Sequence, residues 1–539
     1  MDEYYLSLRT PMEMRDHGEW LTPWLNGEPR LRKPPLIYWA ILMNYKLFGV
    51  HLLSARIWGV FSGAGLAVCA CLFSRELFKG DGLLAGLLAL ATVGVAVEGR
   101  RAMLDLPSAL FATLAVLCFV KWLRTEGRGR TTTAVQVVTT SPTEHRAGGA
   151  PLVKVMLSAL LLGFSFLTKG PVGFLFFIAG ALACLAVFRP QRLLATSWWQ
   201  ILLGLIVLAA VCLPWPLMMQ HLWPGRFGQT MDEELAARQF GHWTPGSPLS
   251  AWSGALGLVL PWTPLMLAAI YSHFRGPTAN RLRENRFLIA WFLLSAFPFF
   301  FMKSFERYML ALVPAQVVLC AEWLENNQTR AREIILRICV LVLATVAVVF
   351  CLFAWWFRLA VWPASAALLL TAFIVFRAFR QTHPHWLAFA SALLFTLVLG
   401  GVYPRFGINA LPENLRTELA SSPVTLFDSP QPSLLSMRLG RSLQAFDAKL
   451  AREHSGLAST AEVVFVDSAH RQNFFNVMKE HQLHAEEKGY FRTFYSRRAW
   501  IRFARPDAQW EDWKIAFRAR SLEDLKSEFR YYLVTPEPS

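Results

Sequence analysis

Acidic and cationic side chains recur at the ends of long apolar runs, where a charge is costly and by default marks function. Asp2 and Glu3 open the chain, and Arg32 and Lys33 follow in the same polar stretch. A second group holds Glu98, Arg100, Arg101 and Asp105. Lys169 closes one apolar run, Glu233, Glu234 and Arg238 lie in a long polar loop, and Lys303, Glu306, Arg307 and Tyr308 separate two further runs. A carboxylate can orient or deprotonate a hydroxyl. Lys and Arg can hold a phosphate and stabilise it as it leaves. Brought together, such groups suit a reaction on an anionic, lipid-borne group in one leaflet of a bilayer. Simpler roles exist for some of them. Arg100, Arg101 and Lys169 could be interfacial side chains that snorkel to water, and Glu306 could pair with its neighbour Arg307. Asp105 resists that treatment, because it opens the run MLDLPSALF with no polar stretch beside it.

The elements that must position these groups are membrane helices. Of 539 residues, 54% are hydrophobic and only 17% charged, against about 25% charged in soluble domains. The mean hydropathy is +0.36. This excludes a disordered chain and argues against an ordinary soluble enzyme. Apolar runs near 54–76, 82–98, 102–123, 152–168, 170–188, 197–219, 250–273, 286–302, 305–324, 332–357, 359–378 and 385–403 are read as about twelve spans. Segment 36–50 is read as an interface helix or a continuation of the first span. Loops rich in Lys and Arg alternate with loops that are not. The basic ones, such as Lys121 to Arg146 and Arg275 to Arg286, are assigned to the cytoplasm. Residues 124–151, rich in Thr, Gly and Arg, read as a flexible linker.

This orientation places the start of the chain outside, with nothing apolar ahead of Asp2 to carry it there. The expectation is therefore a first transmembrane helix that this sequence lacks. The net charge is +16, of which residues 404–539 contribute +2, so the excess lies in the loops of the apolar part. No basic stripe interleaved with aromatics appears, which sets nucleic acid aside. All eight cysteines fall inside apolar runs and form no disulfide framework or zinc spacing. Beyond Tyr403 the composition changes. Short β-like runs at 424–427, 463–466 and 531–534, with alternation over 489–504 and helical stretches at 436–453 and 521–530, read as a small α/β domain. The expected division is 1–53 as an external juxtamembrane catalytic loop and interface helix, 54–403 as the transmembrane domain, and 404–539 as an external soluble domain. No internal repeat is apparent.

The run Asp2-Glu3, Gly18-Glu19-Trp20, Pro23, Leu25-Asn26-Gly27, Lys33-Pro34-Pro35 and Tyr38-Trp39 resembles the first external loop of bacterial aminoarabinose lipid A transferases, within the wider protein mannosyltransferase-like GT-C enzymes. Met103-Leu104-Asp105, Leu167-Thr168-Lys169-Gly170-Pro171, Glu233 with Arg238, Pro261-Trp262, and Lys303-Ser304 with Arg307-Tyr308 and Pro314 follow in the same order. The set covers about 1–320, and its order is more specific than any piece. The resemblance implies an all-α polytopic GT-C fold of about thirteen helices, one more than the twelve here, with a C-terminal external domain. It implies transfer of a sugar from a polyprenyl phosphate carrier, with inversion, to an envelope acceptor such as lipid A, another glycolipid or a protein.

Carried over, Asp2 and Asp105 are the catalytic acidic pair. Lys33, Arg238 and Tyr308 surround the carrier phosphate, and Lys169, Lys303 and Arg307 complete a positive rim, with Glu3 and Glu233 among the substrate-binding residues. The sequence departs from the pattern at Tyr5, where the family usually has Arg, and at Arg32, where it commonly has Glu. Pro11 is expected to interrupt the first juxtamembrane helix. The carboxylates could hold a divalent cation, but no dedicated ligand cluster is evident. The expected site is a bacterial inner membrane, with the active site and tail on the exterior face. The competing class is a multi-span transporter or lipid-linked flippase, which calls for midplane charges and an inverted repeat.

Overall fold

The structure, a computed structural model, describes residues 3–25, 27–135, 149–188, 191–236, 246–275, 282–302, 304–419, 423–427, 432–441, 444–446, 462–468, 470–494, 496–497, 500–501 and 503–536. The chain opens in a π-helical turn, Glu3–Leu8, that runs into α1 (Arg9–Asp16). Pro11 does not end this helix. It falls in the first turn of α1, where a missing N–H costs little, and the change of pitch comes just before it. A short hairpin of β1 (Trp24–Leu25) and β2 (Glu28–Pro29) leads to α2 (Leu36–Phe48), the expected interface helix.

The bundle follows. It consists of α3 (Leu52–Phe78), α4 (Leu83–Leu90), α5 (Val93–Glu98), α6 (Asp105–Val135), α7 (Gly149–Lys169), α8 (Val172–Phe188), α9 (Gln191–Cys212), α10 (Pro214–Leu222) and α11 (Arg226–Ala236). Then come α12 (Gly246–Trp252), α13 (Thr263–Arg275), α14 (Leu282–Ala296), α15 (Val313–Asn326), α16 (Arg330–Trp356), α17 (Val361–Arg380) and α18 (Pro384–Leu397). A 3-10 segment, Glu306–Leu312, precedes α15. Part of the stretch read as a linker is helix, since α6 continues to Val135; residues 136–148 lie outside the described residues.

Eight stretches among the described residues are long and apolar enough to cross a membrane, and each matches one of the twelve apolar runs. The other four runs are shorter or broken. Run 82–98 divides into α4 and α5, α8 has 17 residues, run 250–273 breaks between a π turn and α13, and run 286–302 ends in a 3-10 turn. Unsatisfied backbone groups in hydrocarbon cost several kcal/mol each, so breaks survive only if something pairs them. Here two breaks pair with each other. The N–H groups of Val93 and Gly94 donate to the carbonyls of Leu260 and Leu258, both at 2.8 Å. The Trp262 indole donates to the Leu88 carbonyl at 3.0 Å. Gly94 permits this approach, since a Cβ there would lie 3.0 Å from the Leu258 oxygen.

α6 and α7 are locked by small polar residues, the usual glue of membrane helices. Ser108 and Ser165 hydroxyls lie 2.9 Å apart, and Ser158 donates to the Ala115 carbonyl at 2.8 Å. This register brings the first residue of α6 beside the last of α7.

After Phe406 come α19 (Leu415–Glu418), β3 (Val424–Phe427), α20 (Pro432–Leu439), β4 (Gln444–Phe446), β5 (Glu462–Asp467), α21 (Arg471–Glu480), β6 (Leu483–Thr493), β7 (Ser496–Arg497), β8 (Trp500–Ile501), α22 (Trp510–Ala519) and β9 (Ser527–Pro536). Five strands form one sheet in the order β4-β3-β5-β9-β6. β3 is parallel to β4 and β5, while β9 is antiparallel to both of its neighbours. The helix expected at 521–530 is a 3-10 turn followed by β9. Period two wins there because both sheet faces are covered: Phe529, Tyr531 and Leu533 pack on one side, Tyr532 and Val534 on the other. The stretch 436–453 is likewise divided between α20 and β4, and 447–453 lies outside the described residues. The tail rests on the N-terminal segment. Met437 packs against Tyr45, and Arg15 donates to the Gly440 carbonyl at 2.9 Å.

Candidate active site

Three separate stretches meet at one end of the bundle. Asp105, the first residue of α6, is buried and accepts a hydrogen bond from Lys169 Nζ at the last residue of α7. Arg307 Nε lies 3.3 Å from the other Asp105 oxygen. A carboxylate at a helix N-terminus and a cation at a C-terminus both complement the backbone dipole. The Lys169 ammonium also sits 3.5 Å from the centre of the Tyr308 ring, a cation–π contact. Arg307 thus turns to Asp105, whereas Glu306, its sequence neighbour, is exposed. Lys169 is no snorkelling side chain, being 10% exposed and engaged with a buried carboxylate.

A second layer adjoins the first. Glu3 is buried and receives Arg56 Nε and Nη2 at 2.8 and 2.9 Å, together with the Ala102 N–H at 2.7 Å. Glu98 receives Arg101 Nη1 at 2.8 Å. Arg100 lies over the Tyr403 ring, 5.4 Å from its centre. The turn carrying these arginines presses on α3 at Gly59, where a Cβ would meet the Gly99 carbonyl at 2.9 Å and crowd that of Arg101. Gly59→Val is therefore expected to cost about 1–3 kcal/mol by overpacking and to displace Arg101. Thermal unfolding of the purified variant in detergent checks this, and an unchanged midpoint would count against it.

Burial alone would raise the Glu3 carboxyl. Arg56, the Ala102 N–H and Arg101 together outweigh burial and hold it below the ordinary glutamate value. A depressed carboxylate contributes stability at pH above its unfolded value and loses it as pH falls through the folded one. Unfolding temperature should therefore drop on acidification below the ordinary glutamate range. In Glu3→Gln the loss should already be present at neutral pH, about 1–3 kcal/mol, and that acid step should flatten. An acid step of equal size in Glu3→Gln would assign it to other groups.

A third layer ties the N-terminal loop to α11. Lys33 pairs with Glu234 at 3.1 Å and Arg32 with Glu233 at 3.0 Å. Leu31, Trp215, Met219 and Phe227 pack beneath them. Lys33 is near enough to Lys169 for their like charges to interact.

Of the residues named from sequence, Glu3, Lys33, Asp105, Lys169, Arg307 and Tyr308 come together. Glu233 sits at the exposed rim, where it pairs with Arg32, the residue that departs from the family pattern. Asp2, Arg238 and Lys303 lie outside the described residues. Sequence reading named Glu98, Arg101 and Glu234 among the boundary charges without placing them in the site, and did not single out Arg56. For Arg56 the available signal was a cation just inside an otherwise apolar helix. Among the described residues, one group has carboxylate and imidazole atoms spaced to hold a cation: Asp81, Glu325 and His385, all exposed. It lies at the opposite end of the bundle, beyond the C-termini of α3 and α15.

Residues 3–226 match the dolichyl-phosphate-mannose-protein mannosyltransferase (PMT) family. Over 90% of its length the chain superposes on ArnT from Cupriavidus metallidurans bound to undecaprenyl phosphate, covering 91% of that chain, with a TM-score of 0.69 and 18% identity. This chain is an ArnT- and PMT-like GT-C membrane protein. Relatives agree with that placement. An undecaprenyl phosphate-alpha-4-amino-4-deoxy-L-arabinose arabinosyl transferase of Yersinia enterocolitica is 26% identical over 455 residues, covering 77% of this chain and 76% of that protein. An uncharacterized protein of Aquifex aeolicus is 24% identical over 341 residues, and the alignment spans 62% of each chain, less than two thirds of that relative's length. The PMT match takes in Glu3, Lys33, Asp105 and Lys169, so the ArnT- and PMT-like region includes most of the polar cluster.

Proposed function

We propose that this protein is a membrane glycosyltransferase that moves a sugar from a polyprenyl phosphate carrier to an envelope acceptor, with inversion at the anomeric carbon. The observation that carries this reading is the buried meeting of Asp105, Lys169, Arg307 and Tyr308 with Lys33 beside them. Buried charges this dense are costly unless paired, and the arrangement brings a carboxylate and cations together at one end of the bundle. The names of relatives support undecaprenyl phosphate as the carrier, since the Yersinia protein is named for that donor and the superposed ArnT is bound to undecaprenyl phosphate.

On this reading Lys33, Arg238 and Tyr308 bind the carrier phosphate, with Lys169, Lys303 and Arg307 around it. These cations stabilise the charge that grows on the phosphate as its bond to the sugar breaks. Asp2 and Asp105 form the acidic pair, while Glu3 and Glu233 lie among the substrate-binding groups. The acceptor is lipid A, another glycolipid or a protein. The chain divides into a catalytic loop over 1–53, a transmembrane part over 54–403 and a soluble part over 404–539. It resides in the inner membrane, with site and tail outward, because the Lys- and Arg-rich loops lie at the other end of the helices. A transporter would place its charges near the midplane, whereas this cluster stands at helix ends. The experiment is transfer of a labelled sugar from its polyprenyl phosphate to envelope acceptors by the purified protein, with Asp105→Asn as the inactive control. Uptake into vesicles without consumption of the carrier would overturn the reading.

A further inference from the structure

The tail meets the bundle a second time, at the end of a span. α16 is long and apolar enough to cross a membrane, and it closes on Trp356. The Trp356 indole donates to the Phe517 carbonyl of α22 at 3.1 Å, and the two rings stack 4.7 Å apart. Arg520 covers the Trp356 ring, 4.4 Å from its centre. Ala516 is buried in one cluster with Phe357, Leu522 and Leu525. These contacts fix α22 at the level where the apolar part of the bundle ends.

The faces of α22 are reversed from those of a helix that packs only on its own domain. Trp510, Trp513 and Phe517 stand at i, i+3 and i+7, so they form one stripe along the helix. Trp513 is partly covered, but Trp510 is 72% exposed and Phe517 54%. The small Ala516 is turned inward instead. Away from the stripe the helix is polar, where Asp512 accepts from Arg505 and Glu511 from Lys514. A cluster of exposed aromatics marks an interaction surface.

Position decides the partner. The stripe begins where α16 ends, and it continues a band of exposed tryptophan there: Trp355, and Trp362 at the second residue of α17. Tryptophan collects at membrane–water interfaces, where its apolar ring and its polar N–H are both satisfied. Arg358, in the turn between α16 and α17, and Arg518 on α22 are exposed beside the band. Their charge suits anionic headgroups. A second copy of the chain, seated on the same face, would bring these cations against each other. We propose that α22 docks on the bilayer itself: the stripe of Trp510, Trp513 and Phe517 enters the headgroup region of the leaflet in which α16 ends, and Arg358, Arg518 and Arg520 meet the phosphates of anionic phospholipid. The tail is then moored at two places, here and where Met437 and Arg15 join it to the N-terminal segment.

The test uses the full-length protein in nanodiscs of bromine-labelled phosphatidylcholine, alone or mixed with phosphatidylglycerol, with a fluorescent amino acid at 510 or at 515. Bromine quenches only at short range. Ile515 is also exposed, but it lies roughly 140° further round the helix. Emission from 510 should be quenched at least about twofold more than emission from 515, as for a face buried in the headgroup region. Phosphatidylglycerol should deepen the quenching at 510, and Arg518→Glu should weaken that preference. A second measurement needs no label. In Trp510→Asp the α22 amides should exchange hydrogen about three- to tenfold faster than in wild type, with the five-stranded sheet unchanged. Five results would overturn the proposal: equal quenching at 510 and 515, a lipid preference unmoved by Arg518→Glu, unchanged α22 exchange in Trp510→Asp, faster exchange spread equally over the sheet, which would mark a role in the fold alone, or emission from 510 that shifts only when two copies share a nanodisc, which would give this face to a second copy.

Discussion

Asp105→Asn is expected to lower carrier-dependent sugar transfer by at least about 100- to 1,000-fold, the cost of removing one preorganised electrostatic partner. Asn keeps the shape of the side chain and removes its charge. Lys169 and Arg307 then face each other without the carboxylate that holds both. Breaking a buried ion pair by removing one partner costs about 3–5 kcal/mol, so the variant should also unfold at a lower temperature. The comparison that matters is Asp105→Asn assayed well below its own unfolding midpoint, where the fold is intact. If the loss of activity were only a loss of folding, turnover would return there; transfer still absent in folded protein is the expected outcome. Wild-type turnover in Asp105→Asn would remove this residue from the site.

Lys33 offers a prediction with a sign. It pairs with Glu234 on α11, and both side chains are about one-fifth exposed. A carrier phosphate would take the place of that carboxylate on the same ammonium. Lys33→Ala should weaken undecaprenyl phosphate binding by about 10- to 100-fold, the worth of a hydrogen bond to a charged group. Glu234→Gln should move affinity the other way, by about two- to fivefold, because a partly exposed ion pair is worth only about 0.2–1 kcal/mol. Titration of the purified variants with undecaprenyl phosphate measures both. Weaker binding in Glu234→Gln would mean that this carboxylate positions Lys33 for the carrier and does not compete with it.

Much of the architecture could be read from apolar patterning. Eight of the twelve apolar runs are stretches long and apolar enough to cross a membrane, and α2, β3, β5 and the strand at 531–534 lie where hydrophobic spacing put them. Patterning failed where a partner decides the outcome. Run 82–98 looks like one helix, but its break is stabilised by carbonyls at 258 and 260, which no local window contains. Residues 521–530 have helix-forming composition, yet the strand prevails because the sheet supplies apolar cover on both faces. Pro11 does not end α1 because it falls in that helix's first turn, where a missing N–H costs little.

The sequence by itself determined which side chains could do chemistry: a charge at the end of an apolar run is expensive wherever the chain goes, so Asp105, Lys169 and Arg307 stood out before any fold was known. Only the tertiary structure decided who meets whom. It turned Arg307 from Glu306 to Asp105, and gave Glu3 to Arg56 and Lys33 to Glu234. The reason is physical. The desolvation cost of a charge depends on its immediate surroundings, which sequence reports, whereas its compensation depends on a partner brought near by helix packing, which sequence separation conceals.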